Sequence, residues 1–183
     1  MISFLILIYG ILDVKQMTNK TIQSKRLILK KFTSNDFDLY LQLANDKNVM
    51  KLITGKPLSK NNALIKFKNI LRINEKYPGI GFYAIRETEN QNFIGLGKII
   101  QTNENEAEIG YSLLPENWGK GFGSEISEKL VEYSKEIQSI KNLIAIIDPE
   151  NIASKRILEK SHFKLYKVCD IDGLPSNIFK LIL

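Results

Sequence analysis

Two residue types that build many reactive and metal sites are almost missing from this sequence of 183 residues. It has one cysteine, Cys169, and one histidine, His162. A single cysteine excludes a disulfide within the chain, so nothing requires an oxidising compartment, and we predict a cytoplasmic location. The same shortage argues against a zinc site and against a cysteine–histidine nucleophile pair, so we expect no metal.

Long hydrophobic runs are also scarce. The apolar stretch from Ile2 to Leu12 is too short to span a bilayer and lacks the flanks of a signal peptide, so no membrane partner is expected. Because a second methionine, Met17, follows it, we predict that residues 1–16 are an N-terminal extension. A packed arm or extra strand, and a membrane-associating segment, are the alternatives. Residues 17–183 are predicted as a single domain.

Charge is modest and evenly spread. Lysine and arginine number 26 against 20 aspartate and glutamate, which gives a net charge of +6 without any basic run. An excess of positive charge favours anionic partners in general, and an RNA-associated or ribosome-associated role is one hypothesis. The sequence lacks the aromatic and basic motifs of RNA-binding folds, so we predict no nucleic-acid partner.

The periodicity of the apolar residues changes along the chain. "SKRLILKKF" alternates as a strand does, and Ser34 or Asn35 is predicted to cap the helix that follows. A second helix is predicted after Ser59, then a three-stranded antiparallel meander from "GFYAIRE" to "AEIGYSLLP". The rest is predicted as a helix from "EISEKLVEYSKEIQ", a strand, a short helix and two closing strands. This order is α+β, with one β–α–β unit that can be parallel.

Three glycines stand within five positions of "NWGKGFGSE", directly before the predicted helix. The first N–H groups of a helix have no partner inside it, and glycines let a phosphate approach them closely. The spacing fits neither a P-loop nor a dinucleotide-binding fingerprint, and the preceding meander is the wrong context for the latter. The sequence therefore predicts a site for the pyrophosphate of another cofactor; a flexible glycine-rich loop is the alternative.

These residues resemble a known family. "AEIGYSLLPENWGKGFGSE", "SKRLILKKF", "FIGLGKI" and "NIASKRILEKSHF" are together similar to the GNAT N-acetyltransferase superfamily, and in particular to its RimJ/RimL-like branch. The resemblance extends from about Ser24 to Leu183. It implies a mostly antiparallel sheet of six to seven strands with helices on both faces, and acetyl transfer from acetyl-coenzyme A to a primary amine.

The resemblance also implies a set of cofactor contacts. Strand residues 108–114 would bulge and splay away from "NLIAIID", which leaves a wedge for the pantetheine arm. The amides of the loop would bind the pyrophosphate, and Trp118 departs from the Gln or Arg of the general pattern. The implied cofactor-binding residues are Leu113, Leu114, Trp118, Gly119, Lys120, Gly121, Phe122, Gly123, Ser124 and Asn151.

Two residues are candidates for catalysis. Glu108 is the candidate general base, and a structural ion pair with Lys98 on the neighbouring strand is the alternative. Many relatives place a tyrosine seven residues beyond Asn151 as a proton donor, but Leu158 stands there. The branch uses the serine of Asn-x-x-Ser instead, which points to Ser154; the alternatives are an N-cap for Asn151 and a backbone-bonded first-turn serine for Ser154.

Other positions are interpreted as structural. His162 occurs where the family often has glycine, so the helix-ending role of that glycine is in question. Tyr111 and Phe163 are interpreted as core residues. The missing tyrosine motivates a second hypothesis, a non-catalytic coenzyme A sensor or assembly module. The sequence does not identify the amine, which is either a small molecule or a protein N-terminus, and a homodimer is a further hypothesis.

Overall fold

The computed structural model describes residues 21–183, and within them eight β-strands form one sheet with five α-helices against it. The predicted extension, residues 1–16, lies outside the described residues. The strands are β1 (Ile22–Gln23), β2 (Leu27–Lys31), β3 (Gly81–Glu87), β4 (Phe93–Asn103), β5 (Glu106–Leu113), β6 (Asn142–Ile147), β7 (Lys164–Ile171) and β8 (Leu174–Ile182). The helices are α1 (Phe37–Asn45), α2 (Lys47–Lys51), α3 (Lys60–Lys76), α4 (Phe122–Lys135) and α5 (Ile152–Lys160).

The sheet is mixed and mostly antiparallel, which confirms the predicted α+β class. Its strand order is β1-β2-β3-β4-β5-β6-β8-β7, and β5 and β6 are the one parallel pair among the described strands. The parallel pair is joined through α4, as the pattern around the glycines predicts. The strand count exceeds the expected six to seven because β1 has two residues, too few for a visible alternation.

Helices cover both faces of the sheet. On one face α4 and α5 bury a large core that includes Leu29, Ile99, Ile126, Leu130 and Phe179. On the other face α1 and α3 bury a smaller, aromatic core made of Phe32, Tyr40, Ala44, Ala63, Phe67, Ile70 and Ala84. Each helix packs one apolar stripe against the sheet, so the two faces of the sheet carry separate cores.

Helix starts differ from the sequence prediction in three places. The turn before α1 is held by Asp36, whose carboxylate accepts from the N–H and hydroxyl of Thr33, rather than by a cap at Ser34 or Asn35. Asp46 caps α2, a helix that the periodicity does not predict, by accepting from the next turn. Helix α4 begins at Phe122, inside the predicted loop, so its first turn is built from the glycine-rich segment itself.

A gap opens in the sheet between β5 and β6. Only Glu106–Glu108 of β5 pair with Asn142–Ile144 of β6, and beyond them the strands separate. Strand β5 stays in register with β4 up to Leu113, while β6 stays in register with β8, so each strand follows a different neighbour. The predicted splay is confirmed, but the predicted bulge in 108–114 is wrong because that register is continuous.

His162 takes over the helix-ending role that the family assigns to glycine. Its φ is +67°, and its N–H donates to the Glu159 carbonyl at 3.0 Å. The N–H of Phe163 donates to the Leu158 carbonyl at 3.0 Å, which completes a Schellman motif. Phe163 and Leu158 are both buried in the core, as that motif requires. His162 is therefore structural, as predicted.

Candidate functional site

The glycine loop turns the chain into the N-terminus of α4. Gly119 and Gly121 have φ values of +72° and +80°, a conformation that residues with a Cβ atom rarely adopt. Gly121 is the N-cap of α4, and the N–H groups of the first helical turn, from Phe122 onward, have no acceptor within the helix. The loop therefore presents donors and the positive end of a helix dipole to the cleft, as an anion site requires.

An ion pair that the sequence did not predict holds this loop. The Arg26 guanidinium donates to the Glu125 carboxylate at 2.7 Å and to the Lys120 carbonyl at 3.1 Å, and it lies over the Phe122 ring. The Ser24 hydroxyl and the Arg26 N–H also donate to Glu125. Burial alone would raise the pKa of Glu125, but these donors lower it below its ordinary value. Arg26 thus ties the start of the domain to the loop.

A cavity of about 460 Å³, the glycine-loop cavity, lies beside this turn. Nine of the predicted site residues line it, and they are Leu113, Trp118, Gly119, Gly121, Phe122, Gly123, Ser124, Asn151 and Ser154. The Lys120 side chain is exposed and outside this lining, and Phe122 is buried, so the loop faces the cavity mainly through its backbone. The first turns of α4 and α5 form two of its walls.

The wall formed by β5 offers the N–H of Leu113, whereas both backbone groups of Leu114 are already hydrogen-bonded. The Leu114 N–H donates to the Ile94 carbonyl at 3.0 Å, and its carbonyl accepts from Asn117 at 2.9 Å. Because alternate residues of a strand point their backbone groups to opposite edges, those of Tyr111 and Leu113 point toward the gap. The Trp118 indole N–H donates to the Leu113 carbonyl at 2.8 Å, which fixes the start of the loop. The pantetheine contact is therefore better placed at Leu113 than at Leu114.

A second cavity of about 750 Å³, the central cavity, runs through the gap to the α1–α3 face. It is lined on one side by Tyr40 and Ile70 and on the other by Ser127 and Leu158. The residues that line both cavities, and so form their junction, are Val49, Leu52, Ile53, Tyr111, Ser112, Asn151 and Ser154. Two substrates that enter from opposite faces of the sheet would meet at this junction.

Ser154 and Asn151 lie together at the start of α5. The Asn151 side-chain oxygen accepts from the Ser154 N–H at 3.0 Å, so the predicted alternative of an N-cap is confirmed. Both side chains line the junction, so Asn151 can cap the helix and still face the cleft. The position where relatives have tyrosine is occupied by Leu158, which is buried in the core.

Tyr111, interpreted from the sequence as a core residue, is a site residue that sequence reasoning missed. Its ring packs against Gly123, where an added Cβ would lie 3.2 Å from the Tyr111 hydroxyl. That hydroxyl is buried and makes no hydrogen bond of regular geometry within residues 21–183. Burial raises the pKa of Tyr111, and the nearby Ser154 side chain lowers it by a smaller amount, so the phenol keeps its proton at neutral pH.

Glu108 lies apart from the junction. Its carboxylate forms an ion pair with the Lys98 ammonium, whose stem crosses above Gly110, and this is the geometry of the structural alternative. Glu108 lines a third, smaller cavity of about 250 Å³ together with Asp148 and Asp172. Lys98 lines both this small cavity and the central cavity, so the pair stands at the edge of the gap.

Two absences among the described residues bear on the kind of site. Among residues 21–183, no group of three or more His, Cys, Asp or Glu side chains is placed to hold a metal ion. None of the helices in that range combines the length and the apolar character needed to cross a bilayer.

Comparison with protein families assigns the fold to a known group. Residues 26–164 match the family described as an acetyltransferase (GNAT) domain. An uncharacterised N-acetyltransferase, p20 of Bacillus licheniformis, is 30% identical over 148 residues, which cover 79% of this chain and 83% of the relative. The predicted resemblance is therefore confirmed.

Solved structures share the architecture at low sequence identity. A RimL ribosomal L7/L12 α-N-protein acetyltransferase in complex with coenzyme A superposes with a TM-score of 0.76 at 18% identity, over 90% of this chain and 98% of that one. A Vibrio cholerae spermidine N-acetyltransferase in complex with coenzyme A and spermine gives 0.73 at 20% identity, over 87% and 96%. At such identities the comparison establishes the fold alone.

Proposed function

The chain belongs to the GNAT acetyltransferase family, and on that premise we propose that it moves an acetyl group from acetyl-coenzyme A directly to a primary amine. The observation that supports this most strongly is the junction of the glycine-loop cavity with the central cavity. One cavity has helix N–H donors suited to a pyrophosphate, and the other is open to a second substrate. Bringing two reactants together at such a junction supplies much of the catalysis of a transfer reaction.

The proposed donor binds along the splayed edge of β5. The N-terminal turn of α4 takes the pyrophosphate, with Gly121 leaving its approach open, and the backbone of Leu113 takes the pantetheine arm as an added strand would. Asn151 contributes its side chain from the start of α5. The thioester then lies at the junction beside Ser154 and Tyr111.

Direct transfer fits the residues at the junction. The amine nitrogen attacks the thioester carbon, the C–N bond forms, the C–S bond breaks, one proton leaves the nitrogen to the base, and the thiolate accepts a proton. Cys169 lies in β7 and lines neither cavity, so no thiol of the described residues is placed to form an acyl-enzyme. We propose that Ser154 donates the proton to the thiolate and that the Tyr111 hydroxyl supports it.

Glu108 remains the proposed base, acting on the amine directly or through water. The Lys98 ammonium is bound to its carboxylate and competes for the oxygen atoms that would accept the proton. Both roles are therefore compatible with the contacts, and kinetics of Glu108 variants separates them. The predicted cytoplasmic location and the homodimer stay predictions.

The test is a two-part experiment on the purified full chain. Calorimetry with acetyl-coenzyme A measures donor binding, and release of free thiol in the presence of an amine panel measures transfer, with the acetylated product identified by mass spectrometry. We expect binding and an amine-dependent release of thiol. If acetyl-coenzyme A does not bind at all, the proposed function is wrong.

A second candidate function rests on one residue. Leu158 occupies the position of the usual tyrosine and is buried, which favours the non-catalytic coenzyme A sensor or assembly module. This alternative predicts tight binding of coenzyme A and no thiol release with any amine. We propose a small-molecule amine or a protein N-terminus as the acceptor, because the structurally similar enzymes are named for acetylating spermidine and a ribosomal protein N-terminus.

A further inference from the structure

The central cavity has apolar walls where it passes beneath α1, α2 and α3. The side chains that form this part include Leu43, Val49, Met50, Leu58, Ile70 and Leu96. A charged group placed against such walls loses water and finds no partner, which opposes its binding. The part of an acceptor that fills this space is therefore apolar.

The charged residues of the same lining have a single sign. They are Lys66, Arg72 and Lys98, and no Asp or Glu is among the described residues that line the central cavity. Lys98 is neutralised by Glu108, whereas Lys66 and Arg72 have no ion-pair partner within residues 21–183. Both cations are on α3 and are exposed, so the uncompensated positive charge lies where the cavity opens to solvent.

A polyamine is poorly matched to this lining. Its reacting amine must be neutral, but its other amines stay protonated and need carboxylates nearby. The small cavity does contain carboxylates, those of Glu108, Asp148 and Asp172, but Lys51 and Lys98 also line it and Lys98 pairs with Glu108. Within the central cavity itself a second ammonium group would meet cations and no carboxylate.

We propose that the acceptor is a primary amine with an apolar body and an anionic far end, such as a carboxylate. This inference rests on the proposed acetyl transfer and names its substrate class. The amine lies at the junction beside Ser112 and Ser154, the apolar body fills the central cavity, and the anion binds Arg72 and Lys66. Attack forms the C–N bond, the C–S bond of the thioester breaks, one amine proton leaves to the base, and the thiolate gains a proton.

The test uses three acceptors of one length whose far ends differ. They are hexylamine, 1,6-diaminohexane and 6-aminohexanoate, which end in a methyl, an ammonium and a carboxylate group. Their reacting amines have similar basicity, so a difference in kcat/KM reports the far end. We expect the order carboxylate, methyl, ammonium, with at least a tenfold difference between the first and the last.

Variants of α3 locate the effect. In Lys66→Gln/Arg72→Gln the ratio of kcat/KM for 6-aminohexanoate to kcat/KM for hexylamine should fall to about one. Lys68→Gln is the matched control, because Lys68 is on the same helix, is exposed and does not line the cavity. It should leave all three values unchanged.

The outcomes separate this inference from the proposed function. Preference for the diamine, or an advantage of the carboxylate that survives the double substitution, overturns the inference and leaves acetyl transfer intact. Transfer to other amines of the panel but to none of these three has the same meaning. Failure to bind acetyl-coenzyme A overturns both.

Discussion

The glycine-loop cavity and the central cavity are built on opposite principles. The first presents backbone groups, namely the N-terminal turn of α4 and the free edge of β5, and its shape is held by the ion pair of Arg26 with Glu125. The second presents side chains from α1, α2 and α3. Backbone recognition suits a ligand that never changes, whereas a wall of side chains can be altered without changing the fold. The difference supports the proposal that the donor binds on one side of the sheet and that the acceptor is chosen on the other.

The largest expected effect is the loss of activity when Glu108, the proposed base on the acceptor side, is replaced. If Glu108 is the base, Glu108→Gln should lower kcat/KM about a hundredfold or more, most strongly at low pH, where unassisted amine is protonated. Raising the pH should restore part of the loss. The measurement is a pH profile of kcat/KM from pH 6 to 9.

Lys98→Gln is the matched control for this prediction, because it breaks the same ion pair and leaves the carboxylate. It should cost much less than Glu108→Gln if Glu108 acts as a base. Equal losses in the two variants, or full activity of Glu108→Gln at every pH, would show that the pair is structural.

The next effect concerns the junction between the two cavities. Ser154→Ala should lower kcat about tenfold to a hundredfold with little change in acetyl-coenzyme A affinity, because a donor to the thiolate acts mainly in the transition state. A thiolate already leaves well near neutral pH, which limits the loss. Tyr111→Phe should give a loss no larger than that of Ser154→Ala, with affinity again unchanged.

The double variant decides whether the two hydroxyls act together. If they form one unit, Ser154→Ala/Tyr111→Phe should be little worse than the more severe single change. If the loss of kcat in the double variant equals the product of the two single losses, Tyr111 contributes to catalysis independently of Ser154. A fall in melting temperature without a change in kcat would assign Tyr111 to the core after all.

The glycine-loop side is tested by Gly121→Val. A branched side chain at the mouth of α4 should weaken acetyl-coenzyme A binding at least tenfold, about 1.4 kcal/mol, while leaving the fold intact. Since φ is +80° at Gly121, the substitution also strains the backbone. Calorimetry with acetyl-coenzyme A measures the first effect and thermal unfolding the second.

Gly173 provides the control for strain. It also has a φ of +80°, it lies in the β7–β8 turn, and an added Cβ there would have no neighbour within 4 Å. Gly173→Val should lose stability as Gly121→Val does but bind acetyl-coenzyme A normally. Weakened binding in both variants would attribute the effect to strain and not to the phosphate.

The smallest expected effect concerns the ion pair that holds the loop. Because the folded pKa of Glu125 is below its ordinary value of 4.5, its contribution to stability is present above that value and is lost as the pH falls through the folded pKa. Glu125→Gln should therefore be less stable than the parent near neutral pH, by no more than about 1 kcal/mol because Arg26 is largely exposed. The difference should narrow in acid.

Denaturant unfolding of parent and Glu125→Gln at a series of pH values measures this difference. A difference in free energy of unfolding that stays constant from neutral pH to pH 3 would mean that the ion pair does not stabilise the folded loop. A gap that widens in acid would contradict the assigned direction of the pKa shift.

Features that follow the local period of the backbone were determined by the sequence alone. The antiparallel meander and the glycine loop at a helix start were predicted because strand alternation and glycine spacing are local signals, whereas the splay of residues 108–114 was implied by the family resemblance. The Asn151 cap and the Lys98 pair of Glu108 were foreseen as alternatives for the same reason, since near neighbours on a helix or adjacent strands meet predictably.

Contacts between distant parts of the chain were decided only by the tertiary structure. Arg26 meets Glu125 across 99 positions, and no local pattern marks either residue as a partner. Tyr111 was interpreted as a core residue from its place in an alternating strand, yet it lines both cavities together with Ser154. The charge of the central cavity likewise depends on which face of α3 turns inward. Such features depend on how the elements pack against one another, and the apolar periodicity of a single element does not predict that packing.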